Sequence, residues 1–161
     1  SSLMLAKIQG VIVDFLMPPF SPGEMTFALV AGGVVRGLMV GMAVYAGLWI
    51  FVPVGAEHPL LALLYVALSS VMMALIGVLT GVWAQSFDGV AAIQNYIITP
   101  LAFLSGTFYS IRELPELWYT LCHYNPFFYM IDGFRYALTG YADSSVMLGL
   151  TALTATNIVL W

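Results

Sequence analysis

Charge is what this chain has least of. Lysine and arginine together occur four times and aspartate and glutamate eight times. Only 7% of residues are charged, against about 25% in ordinary soluble domains. The four cations, Lys7, Arg36, Arg112 and Arg135, are too few and too scattered for a basic face or a polybasic lipid-binding patch. Nucleic acid is therefore excluded as a partner. The acids stand singly, so the net charge of -4 reads as loop solvation rather than an acidic tail. A lone cysteine, Cys122, excludes an internal disulfide. The single lysine, Lys7, follows Ala6 and lacks the preceding glycines of a GxxxxGKS/T loop, so the chain has no P-loop with which to hydrolyse ATP. His58 and His123 stand far apart with no Cys, His or paired acid at ligand spacing, which argues against a metal site. Ser105 has no histidine or lysine partner at readable spacing, leaving an intramembrane hydrolase only as a weak option. No catalytic residue, cofactor or metal is assigned to this chain.

What fills the space left by charge is hydrocarbon. Hydrophobic residues make up 61% of the chain and the mean hydropathy is +0.97, which places it in a membrane. Four charge-free runs, Gly37 to Ala56, Pro59 to Phe87, Gly89 to Ile111 and Ser144 to Trp161, suffice or nearly suffice to cross about 30 Å of hydrocarbon as helices. We expect an all-α, polytopic helical bundle with three complete spans and a fourth cut short, as in an internal piece of a longer protein. Pro18-Pro19, Pro22 and Gly23, then Pro53 to Pro59, then Gln85 to Gly89 punctuate the runs and make consecutive spans antiparallel. Residues 3 to 17 are apolar but carry Lys7, Gln9 and Asp14, and read as a helix end or a surface helix. No signal peptide, fixed-period repeat or low-complexity segment is readable, and positive charges are shared equally between the two sides, leaving orientation open.

Two features within the apolar runs ask for partners. Gly33, Gly37 and Gly41 recur four apart, as do Gly77 and Gly81, forming flat ridges suited to close helix packing in a dimer or within the bundle. Arg36 either reaches the headgroups or pairs with Asp14 or Glu24.

The polar residues gather between Ser110 and Asp143. Nine aromatics, from Trp118 to Tyr141, are mixed there with Arg112, Glu113, Glu116, Asp132, Arg135 and Asp143, the composition of a membrane interface. Leu114, Leu117, Trp118 and Leu121 predict a short helix ended by Asn125-Pro126. A second helix is predicted over Phe127 to Leu138, with Asp132 and Arg135 three residues apart on one face. The segment reads as a re-entrant or interfacial helical hairpin, with an aromatic-girdled loop as the alternative. If Asp132 and Arg135 act as a pair, losing either should impair the protein and exchanging the two charges should recover part of the loss.

The order Phe103-Leu104-Ser105-Gly106-Thr107-Phe108, Leu114-Pro115 with Trp118, Asn125-Pro126-Phe127 with Tyr129, and Asp132-Gly133-Phe134-Arg135 with Gly140 closely resembles the C-terminal signature of permeases of type-2 ABC exporters. Upstream, Gln9-Gly10, Asp14 and Met17-Pro18-Pro19-Phe20-Ser21-Pro22-Gly23-Glu24 resemble the cytoplasmic loop between that family's second and third spans. The resemblance implies a six-span permease, here without its first span and part of its second, pairing with a second permease copy. It also implies a separate ATP-binding cassette subunit, so that ATP lies on the partner. Residues 7–24 would form the cytoplasmic coupling loop, with Met17, Pro18, Pro19 and Glu24 as its contact. Residues 110–143 would form an extracytoplasmic hairpin, with Asn125, Pro126, Asp132 and Arg135 as its key positions. Exported cargo in the family includes lipids, glycans, polysaccharides and hydrophobic drugs. An ATP-independent channel or binding protein, and an intramembrane enzyme, are the readings from other classes.

Overall fold

The computed structural model describes residues 21–51, 55, 57–84, 86–106 and 115–161, and every regular element among them is helical. In chain order these are α1 (Pro22–Phe51), α2 (Pro59–Trp83), α3 (Phe87–Ile93), a π-helical turn (Gln94–Ile98), α4 (Thr99–Phe103), α5 (Glu116–His123), α6 (Pro126–Thr139) and α7 (Val146–Leu160). By length and composition, α1 and α2 suffice to cross a membrane, and α7 is a shorter apolar helix.

Helix α1 begins earlier than the charge-free run that marked it. Ser21 and Glu24 make a reciprocal cap: the Ser21 N–H donates to Glu24 Oε2 at 2.8 Å, and the Glu24 N–H to Ser21 Oγ at 3.3 Å. Pro22 occupies the first turn, where a missing N–H costs nothing. The helix therefore continues straight past Arg36, which lies on its exposed side with no acid in salt-bridge reach among the described residues. The expected partner Asp14 lies outside the described residues.

Helix α2 is the hub, packing against α1, α6 and α7. Against α1 the contact is made of small residues. A Cβ added at Gly33 would come within 2.8 Å of the Ala74 Cβ, one at Gly37 within 2.8 Å of the Ser70 Oγ, and one at Gly41 only to 4.0 Å from Val66. The two rows step four residues at a time in opposite order, as antiparallel helices require. The Gly33–Gly37–Gly41 ridge thus faces a helix of its own chain. An apolar groove of about 570 Å³ runs beside it, lined by Gly37, Ser70, Met130 and Phe134 among others.

The third apolar run is helical from Phe87 to Phe103, with its middle turn widened to π geometry. Pro100 supplies the reason. It has no N–H, and its ring crowds the carbonyl four residues back. The chain relieves this by shifting register just ahead of it, where both the N–H and the Oγ1 of Thr99 bond to the Gln94 carbonyl, the latter at 2.9 Å.

Candidate functional site

The two short helices of the polar segment start and stop close to the positions their residues demand: α5 ends at His123, and α6 runs from Pro126 to Thr139. Asn125 is the joint. Its Oδ1 accepts the Phe127 N–H at 3.0 Å, capping α6, while its Nδ2 donates to the Leu101 carbonyl at 2.7 Å, in the last turn of α4. Cys122 acts beside it, its thiol donating to the Leu104 carbonyl at 2.8 Å. Carbonyls at the end of α4, which have no partner within their own helix, are thus satisfied by side chains more than a dozen residues away. Cys122 is fully buried, and burial pushes its thiol pKa up, away from reactivity.

Asp132 and Arg135 meet as their spacing requires, with Arg135 Nη2 at 2.6 Å from Asp132 Oδ1. The same nitrogen lies 2.7 Å from Asp143 Oδ2, so one guanidinium bridges two buried carboxylates. Burial lowers the pKa of Arg135, but the hydrogen bonds to Asp143 and Asp132 outweigh it and hold the group above its ordinary value. Tyr141 completes the cluster: its hydroxyl donates to Asp143 Oδ1 at 3.1 Å, and its ring centroid lies 5.4 Å from the guanidinium carbon.

Asp132 has a second task that spacing did not reveal. Its carboxylate accepts the N–H of Asp143 and the N–H of Ser144, both at 2.9 Å, and so organises the backbone entering α7. Ser145 then caps that helix by accepting the Leu148 N–H at 3.3 Å. An arginine has no acceptor to offer those N–H groups. An exchanged pair would therefore leave the N–H groups of Asp143 and Ser144 without this acceptor.

Beneath the cluster lies Tyr65 of α2, fully buried, its hydroxyl donating to the Val146 carbonyl at 2.9 Å. Gly133 of α6 and Gly149 of α7 press on it, since an added Cβ would stand 2.0 Å from Tyr65 Cε1 and 2.6 Å from its hydroxyl respectively. Three helices converge on one ring because two of them present no side chain there. The turn before α2 adds a further tie. His58 donates its N–H to the Ala137 carbonyl at 3.0 Å and stacks on Tyr136 with ring centroids 5.7 Å apart. Gly140, at φ 70°, ends α6 against the Glu57 carboxylate.

Of the site residues read from the sequence, Asp132 and Arg135 come together at this junction, while Asn125 and Pro126 form the start of α6, where Asn125 bonds to α4. Gly33, Gly37 and Gly41 lie on the α1–α2 contact instead. Glu24 caps α1, and Met17, Pro18 and Pro19 lie outside the described residues. Sequence reasoning missed Asp143, Tyr141, Tyr65 and the paired glycines. Only Gly140 beside Tyr141 hinted at a turn that brings Asp143 back onto Arg135.

Long apolar helices joined through small residues, with the buried charges gathered at one junction between helices, define a multi-pass helical membrane protein. Its polar contacts run from helix to helix. The family model for ABC-2 type transporters matches residues 1–139, and the chain belongs to that family. It is 40% identical over 143 residues to an inner membrane transport permease, YadH, of Escherichia coli strain K12, covering 89% of this chain and 56% of that one. It is also 31% identical over 94 residues to nodulation protein J of Rhizobium leguminosarum bv. trifolii, covering 58% of this chain and 36% of that one. The chain thus spans about half the length of the inner membrane permease it matches. No solved structure matches it.

Proposed function

We propose that the chain is part of the membrane-spanning permease of an ATP-driven exporter. ATP is hydrolysed on a separate ATP-binding cassette subunit, and a second permease copy completes the transporter. The cargo is a lipid, glycan, polysaccharide or hydrophobic drug. Residues 7–24 face the cytoplasm and receive the ATPase, and residues 110–143 form the hairpin on the opposite side. There α5 and α6 act as a lid over the outer end of the transport path.

The observation that carries this reading is the Asp132–Arg135–Asp143 bridge. It locks the return helix of the hairpin to the start of α7, so the lid is fixed to a span and not left as a loose loop. Family membership supplies the transport class.

The test uses the full-length protein. It should copurify with an ATP-binding subunit, and replacing Pro18 and Pro19 by glycine should lower the ATPase activity of that complex at unchanged membrane abundance. Glu24→Gln separates capping from coupling, because glutamine keeps the reciprocal cap and loses only the charge. ATPase activity unchanged in all these variants would overturn the assignment of the coupling loop.

A further inference from the structure

Arg36 stands where a charge is least expected. It is the middle of α1, 14 residues from Pro22 and 15 from Phe51. Its level follows from the neighbouring contact: Gly37 lies against Ser70 of the antiparallel α2, which sets Arg36 level with Val71. Val71 is itself the midpoint of α2, 12 residues from Pro59 and 12 from Trp83, in a helix without one charged residue. With α2 centred in about 30 Å of hydrocarbon, about 15 Å separates Arg36 from either surface. That is more than an arginine stem spans, so the headgroups do not satisfy it. No acid answers it among the described residues. Glu24 lies 12 residues, about 18 Å, toward the start of α1, and its carboxylate accepts the Ser21 N–H.

The face of α1 that carries Arg36 is not the one that meets α2. At about 100° per residue, Gly32, Ala43 and Gly47 fall within about 40° of Arg36, whereas Gly33, Gly37 and Gly41 lie about 60–140° away. A Cβ added at Gly32 or Gly47 would meet nothing within 4 Å, and Ala43 is exposed. Val40 is the only larger side chain between Gly32 and Gly47 on that face. Helix α1 thus has a second low ridge, unused by the helices described, with a cation set in it.

Whatever covers this ridge must bring a negative charge and come close. Lipid tails bring no charge. A second copy docked by the same face about a two-fold axis would set Arg36 against its own counterpart. A cargo anion would leave the guanidinium bare in apolar surroundings each time it departed. A helix carrying an aspartate or glutamate meets both demands, because the glycines admit its backbone and its carboxylate stays with the arginine. YadH extends well beyond the 56% of its length that this chain covers, which is room for such a helix.

We propose that the Gly32–Arg36–Gly47 face of α1 receives a transmembrane helix of the same full-length polypeptide, from outside residues 1–161, through an ion pair between Arg36 and a carboxylate on that helix. Membership of a membrane family supplies the bilayer, and the export reading is not needed.

In detergent-purified full-length protein, Arg36→Leu should lower the Tm by about 5 °C or more, because it strands the carboxylate. Arg36→Lys should lose less, and Gly32→Leu should also lower the Tm. A lipid-facing site gives the opposite sign, since leucine suits lipid better than arginine and a helix better than glycine. An unchanged or raised Tm in Arg36→Leu or Gly32→Leu would therefore overturn the proposal, and lost transport at unchanged Tm would hand Arg36 to the cargo.

Charge reversal keeps the test open should Arg36→Leu fail to accumulate. Arg36→Glu is combined, one at a time, with arginine at each aspartate and glutamate of the spans outside residues 1–161. One combination should restore about half or more of the normal membrane abundance, and failure of every combination would overturn the pair. Gly32→Cys is then joined with a cysteine one turn from the rescuing acid, all other cysteines being replaced by serine. Oxidation should protect both thiols from maleimide at unchanged mass. A doubled mass on a non-reducing gel would give the ridge to a second copy and overturn the proposal.

Discussion

The α1–α2 contact and the α2–α6–α7 junction solve the same packing problem by different means. Both bring helices close through glycines. Between α1 and α2, Gly33, Gly37 and Gly41 face Ala74, Ser70 and Val66, and each contact stands alone. At the junction, Gly133 and Gly149 close on a single shared ring, and Asp132 bonds at once to Arg135, Asp143 and Ser144. The first arrangement should yield gradually, one position at a time. The second should fail as a unit, because the loss of any member leaves the others buried without partners.

The sharpest way to break the comparison is at Gly133. A leucine there meets the Tyr65 ring with no free space, and full-length Gly133→Leu should lose about 3 kcal/mol or more. Little monodisperse protein should survive size-exclusion chromatography. Gly133→Ala and Tyr65→Leu should then destabilise less together than their sum, by about 1 kcal/mol, in thermal unfolding of the detergent-purified protein. Strict additivity would mean that α6 finds another seat on α2.

Next comes the charge cluster. Arg135→Ala leaves two carboxylates facing each other and should destabilise by about 2–3 kcal/mol, somewhat under the value for a fully buried pair, because its side chain is 27% exposed. The exchange Asp132→Arg with Arg135→Asp should not restore the Tm. Recovery in that double variant would show that the backbone N–H groups of Asp143 and Ser144 do not depend on Asp132.

The α1–α2 ridge should give smaller, ordered losses. Gly33→Ala drives a methyl into the fixed Ala74 Cβ and should lose about 1–2 kcal/mol. Gly37→Ala should lose less, since the Ser70 hydroxyl can rotate aside. Gly41→Ala meets only ordinary contact and should stay within about 0.5 kcal/mol of the unaltered protein. The measurement is again the Tm of each variant. If the three positions respond alike, the graded picture is wrong.

Legibility in the sequence follows the same division. The limits of α5 and α6 could be read because Pro126 and the leucine spacing act locally, and Asp132 with Arg135 because three residues on a helix always share a face. Asp143 could not, since it reaches Arg135 only after the chain turns at Gly140. Tyr65 was silent for the opposite reason: amid aliphatic residues nothing marks one ring as the place where three helices meet. Gly133 was read as part of a motif, whereas its role is to make room. The start of α1 lies well upstream of the charge-free run bounded by Arg36, where the Ser21-x-x-Glu24 pattern of a reciprocal cap marks it. The π turn had a signal too, in three polar residues followed closely by Pro100.

Asn125 carries a mechanical consequence. One planar carboxamide holds the outgoing end of α4 through its nitrogen and the incoming end of α6 through its oxygen. The two groups are rigidly joined, so neither helix end can shift without dragging the other or breaking one of the two bonds. The side chain is a crankpin: while both bonds hold, any displacement of α4 must be shared by the start of α6 without passing through the backbone between them.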